Sequence, residues 1–441
     1  AEAVDVMGSA GGLLPLDRAI DEPVQTVLSG PAGGVVGALA WARAVGREGI
    51  VTFDMGGTST DVSLCPGRAL HTREFEIAGV PVAIPMLDIH TVGAGGGSVA
   101  YLDPGGALRV GPESAGADPG PICYGRGGRE VTVTDAHVWL GRMPVDAFLG
   151  GAHTLDREAI AAPLGRLAEA LGTTREEAAA GILEVATTTM ERALRVISVE
   201  RGFDPADFAL VAFGGAGGLH AAELSERLGC AEALIPPSSG LLSAWGILAA
   251  PPSREASRSV LRSGDDVELP ALVAGLEEAA RAGLIEDGVA EEEIEVERSV
   301  EIRYSGQSFE LRVPADGAPE AWAEAFHAAH ARRYGYARHD RGVEVVTLRA
   351  IARGRARLSG TATPSEPGAG DPSEAPARSA RVWVEGRARE VPVLERGSLA
   401  PGTARAGPLV VIDASSTLWV PERFEILVHP SGVLRLRREV S

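Results

Sequence analysis

The alternation of apolar and polar residues predicts a chain in which strands and helices follow one another. Short apolar runs bounded by glycine predict strands at 49–53 and 208–213. Between them, apolar residues recur at steps of three and four from Leu155 to Arg201, which predicts helix with one buried face. Alternating runs at 300–304 and 309–313 predict two strands joined by a Ser-Gly-Gln turn.

The pattern changes near residue 254, and the expected domain division follows that change. Residues 358–380 contain almost no large apolar side chain, which is typical of a solvated linker. Short alternating segments after the linker predict a small β-rich domain. The expected division is an α/β core at 1–254, a small α+β unit at 255–357, a linker at 358–380 and a C-terminal β-rich domain at 381–441.

Composition narrows the chemistry that the chain can perform. The 441 residues include 41 basic and 60 acidic side chains, for a net charge of −19, and every basic residue is arginine. The absence of lysine excludes Schiff-base chemistry and the lysine of a P-loop. Without a basic stripe, the chain is not expected to bind nucleic acid. A nucleotide would have to be held by backbone amides, hydroxyls, a metal ion and arginine.

The cysteines and the apolar runs indicate a cytoplasmic protein with no membrane segment. Cys65, Cys123 and Cys230 are too far apart for a disulfide framework. No apolar run reaches the roughly 20 residues that a membrane-spanning helix needs. The other histidines are scattered, and no pair is expected at metal-ligand spacing on a shared helix face.

A glycine-rich turn between two predicted strands carries the most informative pattern. One strand ends at Asp54, and Asp61 opens the returning strand. Glycines let backbone amides approach phosphate oxygens, and carboxylates suit Mg²⁺, so Asp54 and Asp61 are the predicted metal ligands. The alternative is a plain glycine-rich hairpin with an Asx turn. The predicted phosphate ligands are Gly56, Gly57, Thr58 and Thr60.

A second glycine-rich loop follows the strand predicted at 208–213. It leads directly into a predicted helix, whose first backbone amides can face a nucleotide. The predicted nucleotide contacts are Gly214, Gly215, Gly217, Gly218 and His220. Together the two loops resemble the second phosphate loop and the adenosine loop of the actin, Hsp70 and sugar-kinase superfamily. The resemblance implies an α/β fold with actin/Hsp70-like (ribonuclease H-like) ATPase lobes that bind ATP.

A narrower resemblance covers nearly the whole chain. Motifs similar to those of the hydantoinase A/5-oxoprolinase family occur in family order at 29–34, 53–61, 88–98, 111–121, 124–128, 132–136 and 213–220. Members of that family couple ATP hydrolysis to the opening of cyclic amides such as hydantoins and 5-oxoproline. The resemblance therefore implies ATP and Mg²⁺ as cofactors, a hydantoinase B-like partner subunit and an oligomeric assembly.

Further candidate residues lie within the family motifs. Asp54, Asp88 and His90 are the predicted catalytic residues, since a carboxylate or imidazole can orient or deprotonate an attacking group. A structural aspartate and a hydrogen-bonded histidine are the alternative for Asp88 and His90. Arg126, between glycines, is the predicted ligand of a substrate carboxylate or phosphate, or else forms a surface ion pair. Asp135 is expected to be a helix N-terminal cap.

The leading functional hypothesis is the ATP-binding subunit, or a fragment of it, of an ATP-dependent cyclic amidase. Family members begin with another domain that carries an earlier phosphate hairpin, so the resemblance implies a missing lobe and weak ATP binding by the isolated chain. One alternative is a subunit of an ATP-dependent ketone carboxylase of the acetone or acetophenone type. The other is a non-enzymatic, ATP-dependent clamp.

Overall fold

The computed structural model describes residues 4–72, 75–77, 80–82, 84–356 and 378–438. The chain divides into two compact units, and both are assembled from separate stretches of sequence. The first unit contains 1–29, 82–86 and 248–359, and the second contains 30–81, 87–247 and 360–441. The linker expected at 358–380 lies outside the described residues as far as residue 377. The four-part domain division stays a prediction.

The helical period predicted from Leu155 to Arg201 corresponds to two helices and a short 3₁₀ turn. Gly172, with a left-handed φ of 68°, ends the first helix, and Thr174 caps the second in a capping box with Glu177. The α-helices are Leu16–Asp21, Ser29–Ala44, Val133–Trp139, Arg157–Leu171, Arg175–Ile197, Gly217–Leu228, Leu242–Ala249, Leu269–Glu286 and Pro319–Tyr334.

Strands fill much of the remaining chain. Those before residue 250 are Asp5–Met7, Leu13–Pro15, Gly49–Met55, Thr60–Pro66, His71–Thr72, Phe75–Ile77, Val80–Val82, Met86–Leu87, His90–Val92, Ser98–Leu102, Leu108–Ser114, Ala209–Phe213 and Ala233–Ile235. Those after it are Ser253–Ser263, Glu295–Tyr304, Leu311–Pro314, Val343–Arg353, Ser379–Val384, Arg387–Glu395, Ala404–Ala406, Leu409–Ile412, Thr417–Val420, Phe424–Val428 and Leu434–Arg438.

An eight-stranded mixed sheet forms the centre of the second unit. Its middle strand, Ala209–Phe213, runs parallel to both Gly49–Met55 and Ala233–Ile235. The hairpin partner Thr60–Pro66 continues the sheet on one side. On the other side, Leu434–Arg438 pairs antiparallel with Ala233–Ile235. The sheet is therefore completed by a strand about 200 residues further along the chain.

A buried carboxylate secures this late strand. Glu232 has a fully buried side chain and forms ion pairs with Arg47 at 2.6 Å, Arg435 at 2.7 Å and Arg437 at 3.1 Å. Burial opposes the ionisation of Glu232, but the hydrogen bonds from Arg435 and Arg47 outweigh it and lower its pKa to about 2. The charge of Glu232 thus links three separate segments of the unit.

The main core of the second unit lies on one face of this sheet. Phe53 and Val62 face the core, and helix Arg175–Ile197 packs on the strand that carries Val62. Ile182, Met190 and Leu194 of that helix are fully or almost fully buried. The buried helix face predicted from the three- and four-residue steps is confirmed.

The first unit contains a four-stranded antiparallel sheet and two long helices. The strand order is Ser253–Ser263, Val343–Arg353, Glu295–Tyr304 and Leu311–Pro314. The two strands predicted around the Ser-Gly-Gln turn are therefore present and paired. Tyr304, Trp322 and Phe326 are its largest buried side chains, and they fix helix Pro319–Tyr334 against the sheet.

Candidate functional site

The two aspartates of the glycine-rich hairpin lie directly opposite each other on adjacent antiparallel strands. Ser243 donates a hydrogen bond to Asp54 at 3.5 Å, and Thr91 donates one to Asp61 at 2.5 Å. Burial and then the charge of Asp61 raise the pKa of Asp54 to about 7. Burial also raises the pKa of Asp61, against the opposing Thr91 hydrogen bond. Two half-buried carboxylates in this arrangement suit a divalent cation, which would offset their mutual repulsion.

The outer side of the turn between these strands is open. A Cβ added to Gly57 would meet nothing within 4 Å, and one added to Gly56 would meet only the Ser59 carbonyl at 3.8 Å. Gly57 and Thr58 are exposed. The protein therefore does not need these glycines for its own packing here. The open backbone is a cradle that fits phosphate oxygens approaching closely.

The inner side of the same turn packs tightly on residues 95–97. The amide of Gly96 donates to the Gly56 carbonyl at 3.0 Å, and that of Gly97 donates to the Gly57 carbonyl at 2.6 Å. A Cβ on Gly95 would lie 2.7 Å from the carbonyl carbon of Thr58. Since such contacts are too short for any side chain, glycines at 95–97 let a second loop brace the turn from behind. The sequence pattern did not indicate this support.

Thr60 lies on the inner side of the hairpin. Its side chain is buried, and its hydroxyl donates to the Ala94 carbonyl at 2.5 Å. Thr60 therefore anchors the hairpin to the bracing loop, while Thr58 is the threonine that faces solvent.

The second glycine-rich loop closes over the end of the strand that carries Asp54. Gly214 has a φ of 80°, and a Cβ there would lie 2.5 Å from Asp54 Oδ1. The amide of Ala216 donates to the Met55 carbonyl at 3.1 Å, which fixes the loop beside the hairpin. Gly215 is exposed, and a Cβ there would meet only the Ser415 carbonyl at 3.9 Å. Gly214 and Gly215 thus lie next to the carboxylate pair.

The other predicted contacts of this loop are buried inside the unit. Gly217 and Gly218 begin helix Gly217–Leu228, and a Cβ on Gly218 would lie 2.6 Å from the Thr417 carbonyl. Gly218 therefore allows close packing of the helix on the strand Thr417–Val420. The nucleotide contacts predicted for these two glycines stay predictions.

His220 belongs to a buried histidine pair. Its Nε2 lies 3.0 Å from Nε2 of His137, and its Nδ1 lies 3.0 Å from the Thr187 hydroxyl. Burial, followed by the positive charge of Arg142, lowers the pKa of His220 to about 3. Burial likewise keeps the pKa of His137 well below its ordinary value. Both rings are therefore neutral at physiological pH, and the nucleotide contact predicted for His220 stays a prediction.

Asp88 and His90, the other predicted catalytic residues, have different surroundings. Both carboxylate oxygens of Asp88 bind the Arg201 guanidinium, one of them at 3.3 Å. His90 lies opposite Val62 in the sheet, while the next residue, Thr91, lies opposite Asp61. Because side chains alternate along a strand, His90 faces away from the side that carries Asp61. The catalytic roles predicted for Asp88 and His90 stay predictions.

Arg126 is exposed on a loop held by Asp135. The Asp135 carboxylate accepts hydrogen bonds from the amides of Ile122 and Cys123 at 3.2 and 2.8 Å. It also accepts from the Thr132 hydroxyl at 2.8 Å, and the two residues form a capping box on helix Val133–Trp139. The expectation that Asp135 is the N-terminal cap is wrong: Thr132 is the cap, and Asp135 is its partner at the third helical position.

Comparison with known proteins places this chain in the hydantoinase/oxoprolinase family, whose model matches residues 1–256. Caprolactamase subunit alpha from Pseudomonas jessenii is 36% identical over 97% of the chain and 64% of its own length. A 5-oxoprolinase from Pestalotiopsis fici is 35% identical over 98% of the chain and 35% of its own length. The acetone carboxylase beta subunit of Xanthobacter autotrophicus is 30% identical over 98% of the chain and 63% of its own length. The chain thus spans less than two thirds of these relatives.

Solved structures show the same fold. The crystal structure of ATP-dependent caprolactamase from Pseudomonas jessenii has a TM-score of 0.87 and 33% identity, covering 98% of this chain and 65% of that one. The nucleotide-free structure of acetone carboxylase has a TM-score of 0.77 and 27% identity, covering 99% of this chain and 64% of that one. The predicted family and the predicted α/β, actin-like ATPase fold are confirmed. Among the described helices, none combines the length and apolar character needed to cross a bilayer.

Proposed function

We propose that this chain is the ATP-binding subunit, or part of it, of an enzyme that hydrolyses a cyclic amide at the expense of ATP. The observation that carries the proposal is the Asp54–Asp61 pair beneath an open glycine turn. Relatives named caprolactamase and 5-oxoprolinase support a lactam or a related cyclic amide as the substrate class.

The nucleotide site is assigned to the second unit. Asp54 and Asp61 would hold Mg²⁺ through carboxylate oxygens. The Gly56 amide donates to the Ser59 carbonyl at 3.1 Å within the turn, so the amides of Gly57 and Thr58 are the ones that would donate hydrogen bonds to phosphate oxygens. Gly214 and Gly215 would lie against the nucleotide beside Asp54. Bound Mg-ATP supplies a transferable phosphoryl group, which would turn the amide oxygen into a better leaving group.

The residues of this chain position the carboxylates and admit the phosphates. The Thr91 and Ser243 hydroxyls orient Asp61 and Asp54 by hydrogen bonding. With a pKa of about 7, Asp54 holds a proton for part of the time at neutral pH until positive charge stabilises its ionised form. Exposed Arg126 is proposed to bind a carboxylate or phosphate of the reactants.

Assembly with a second subunit is part of the proposal. The names caprolactamase subunit alpha and acetone carboxylase beta subunit indicate that these relatives belong to multi-subunit enzymes. We infer a hydantoinase B-like partner and a cytoplasmic hetero-oligomer.

A ketone carboxylase subunit is the second candidate function. The 30% identity to the acetone carboxylase beta subunit and the match to nucleotide-free acetone carboxylase support it. Such an enzyme would consume ATP with bicarbonate and a ketone, so the two candidates differ in which reactants stimulate hydrolysis.

The test is ATP hydrolysis by the protein purified with its partner subunit. We expect turnover to rise on addition of a lactam, a hydantoin or 5-oxoproline, and Asp54→Asn to abolish that rise. Asp103→Asn, in an exposed hairpin that pairs with Arg109, is the matched control and should retain activity. Stimulation by acetone with bicarbonate alone would favour the carboxylase, and no stimulation by any cyclic amide would refute the proposal.

A further inference from the structure

A cluster of possible metal ligands lies in the first unit, in a part of the chain that the proposed function does not use. Glu324 and His327 are three residues apart on helix Pro319–Tyr334, and His339 follows that helix. One ligand atom from each of the three lies within 4.8 Å of the other two. Oε1 of Glu324 lies 3.8 Å from Nδ1 of His339. The ring centroids of His327 and His339 are 4.2 Å apart.

The core orients the buried member of this cluster. Nδ1 of His327 lies 2.8 Å from the Tyr304 hydroxyl, which also accepts a hydrogen bond from the Arg338 amide at 2.7 Å. With Nδ1 committed to Tyr304, Nε2 is the nitrogen left to coordinate an ion. Histidine ligands commonly use one ring nitrogen for the metal and hydrogen-bond through the other, which fixes the ring and its tautomer. Tyr304 is fully buried, so it provides a rigid support.

We propose that Glu324, His327 and His339 form a binding site for a divalent transition metal, with Zn²⁺ as the best match. Two imidazoles and one carboxylate form a donor set typical of Zn²⁺, whereas Mg²⁺ prefers oxygen ligands alone. A fourth position would be taken by water.

The three ligand atoms must move closer together to bind such an ion. Bonds of about 2.0–2.2 Å in tetrahedral geometry place neighbouring ligand atoms roughly 3.4 Å apart. Glu324 and His339 have mostly exposed side chains, at 73% and 62%, so both can rotate inward. The rotation has to bring ligand atoms that lie within 4.8 Å of one another to roughly 3.4 Å, a closure of at most about 1.4 Å. His327 is buried and stays in place.

An ion here would join the segment after Gly335 to the preceding helix. Gly335, with a left-handed φ of 82°, ends that helix, and His339 lies four residues further on. An ion bound by His339 and by the helical residues Glu324 and His327 would hold this turn against the helix. Because the ion binds the folded state, it would also raise the stability of the chain by mass action.

The test is calorimetric titration of metal-stripped full chain with ZnCl₂, with Mg²⁺ in excess so that Asp54 and Asp61 do not contribute. We expect one ion per chain and an affinity reduced at least about tenfold in Glu324→Gln and in His339→Ala. Substitution with Co²⁺ should give the visible absorption of a tetrahedral site. His339→Cys, which restores a ligand, should recover binding relative to His339→Ala.

Matched controls separate this site from general surface binding. The first control is Glu320→Gln, which changes an exposed residue of the same helix. The second is His429→Ala, which removes a histidine of the second unit. Both should bind Zn²⁺ like the unaltered protein. Equal losses in controls and site variants, unchanged affinity in both site variants, or no stoichiometric binding would overturn the proposal. These readouts involve no ATP, so they stand apart from the outcome for the proposed enzyme.

Discussion

Asp54 lies directly opposite Asp61 across the two strands of the glycine-rich hairpin, and each carboxyl group accepts a hydrogen bond from a hydroxyl outside the hairpin. Like charges at such cross-strand positions destabilise a sheet. The hairpin therefore carries an electrostatic cost in its metal-free form, and a bound proton or cation relieves that cost.

The first prediction concerns the pH dependence of stability. The pKa of Asp54 is about 7 in the folded chain against 3.8 as its ordinary value, so the folded carboxyl keeps a proton that the unfolded chain releases. The free energy of unfolding should consequently fall as the pH rises from about 4 to about 7. The Asp54→Asn variant lacks this fall. Above pH 7 its free energy of unfolding should exceed that of the unaltered protein by at most about 4 kcal/mol.

Urea unfolding in excess EDTA, at about pH 5 and about pH 8, measures this difference. Asp103→Asn is the control, and it should follow the unaltered protein at both values. Adding Mg²⁺ at the higher pH should stabilise the unaltered protein more than Asp54→Asn. Equal pH dependence in the two proteins would show that Asp54 is not held in its protonated form.

The second prediction separates binding from packing with two glycine substitutions. Gly57→Ala places a methyl group where nothing lies within 4 Å, so the thermal midpoint should change little while ATP affinity falls. Gly214→Ala forces a left-handed φ of 80° and a contact of 2.4 Å with the Met55 carbonyl, so it should lower the thermal midpoint itself. Thermal unfolding with and without Mg-ATP distinguishes them. Unchanged ATP affinity in Gly57→Ala would refute the phosphate cradle.

The third prediction is acid sensitivity that arises from the buried histidine pair. The pKa of His220 falls from 6.5 to about 3 on folding, so the unfolded chain takes up a proton that the folded chain does not. The resulting stability is present above about pH 6.5 and is lost as the pH falls, by about 2 kcal/mol at pH 5.

His220→Gln should remove this part of the pH dependence while costing some stability at every pH. Chemical unfolding at about pH 8 gives the packing cost alone, because the His220 ring of the unaltered protein is then neutral in both the folded and the unfolded state. The additional loss that the unaltered protein shows at about pH 5 should be smaller in the variant. If the pH dependence is the same in both, the ring of His220 does not resist protonation.

The fourth prediction concerns Glu232 and its three arginines. Glu232→Gln removes the negative charge while leaving the partly buried arginines in place, and it should destabilise the second unit by roughly 3–5 kcal/mol. Glu226→Gln, whose partner Arg438 is largely exposed, should cost less than about 1 kcal/mol. Comparison of their urea midpoints tests whether burial of the ion cluster makes the difference.

Local patterns made much of the fold predictable. The hairpin with Asp54 and Asp61, the strand before Gly214 and the strands around the Ser-Gly-Gln turn follow from β-branched runs and adjacent glycines. These features depend on neighbours in sequence, so a single chain is enough to indicate them.

Relationships between distant residues were not predictable in the same way. Asp88 binds Arg201, 113 residues away, and His137 meets His220, 83 residues away. From sequence alone, such residues are assigned to the nearest motif, because the sequence contains no signal for their distant partners. The expectation of no histidine pair on a shared helix face is wrong, because His327 and His330 lie three residues apart on helix Pro319–Tyr334. Glu324 is on the same helix, but His339 joins Glu324 and His327 only through the turn after Gly335.

The pairing of Ala233–Ile235 with Leu434–Arg438 has a consequence for biosynthesis. As the chain leaves the ribosome, the strand Ala233–Ile235 has one neighbour, Ala209–Phe213, and an open edge on its other side. Its second neighbour is translated about 200 residues later. Open strand edges recruit other chains, and pairing across long sequence separations is slow. The nascent chain therefore passes through an interval in which this sheet is most exposed to aggregation and to capture by chaperones.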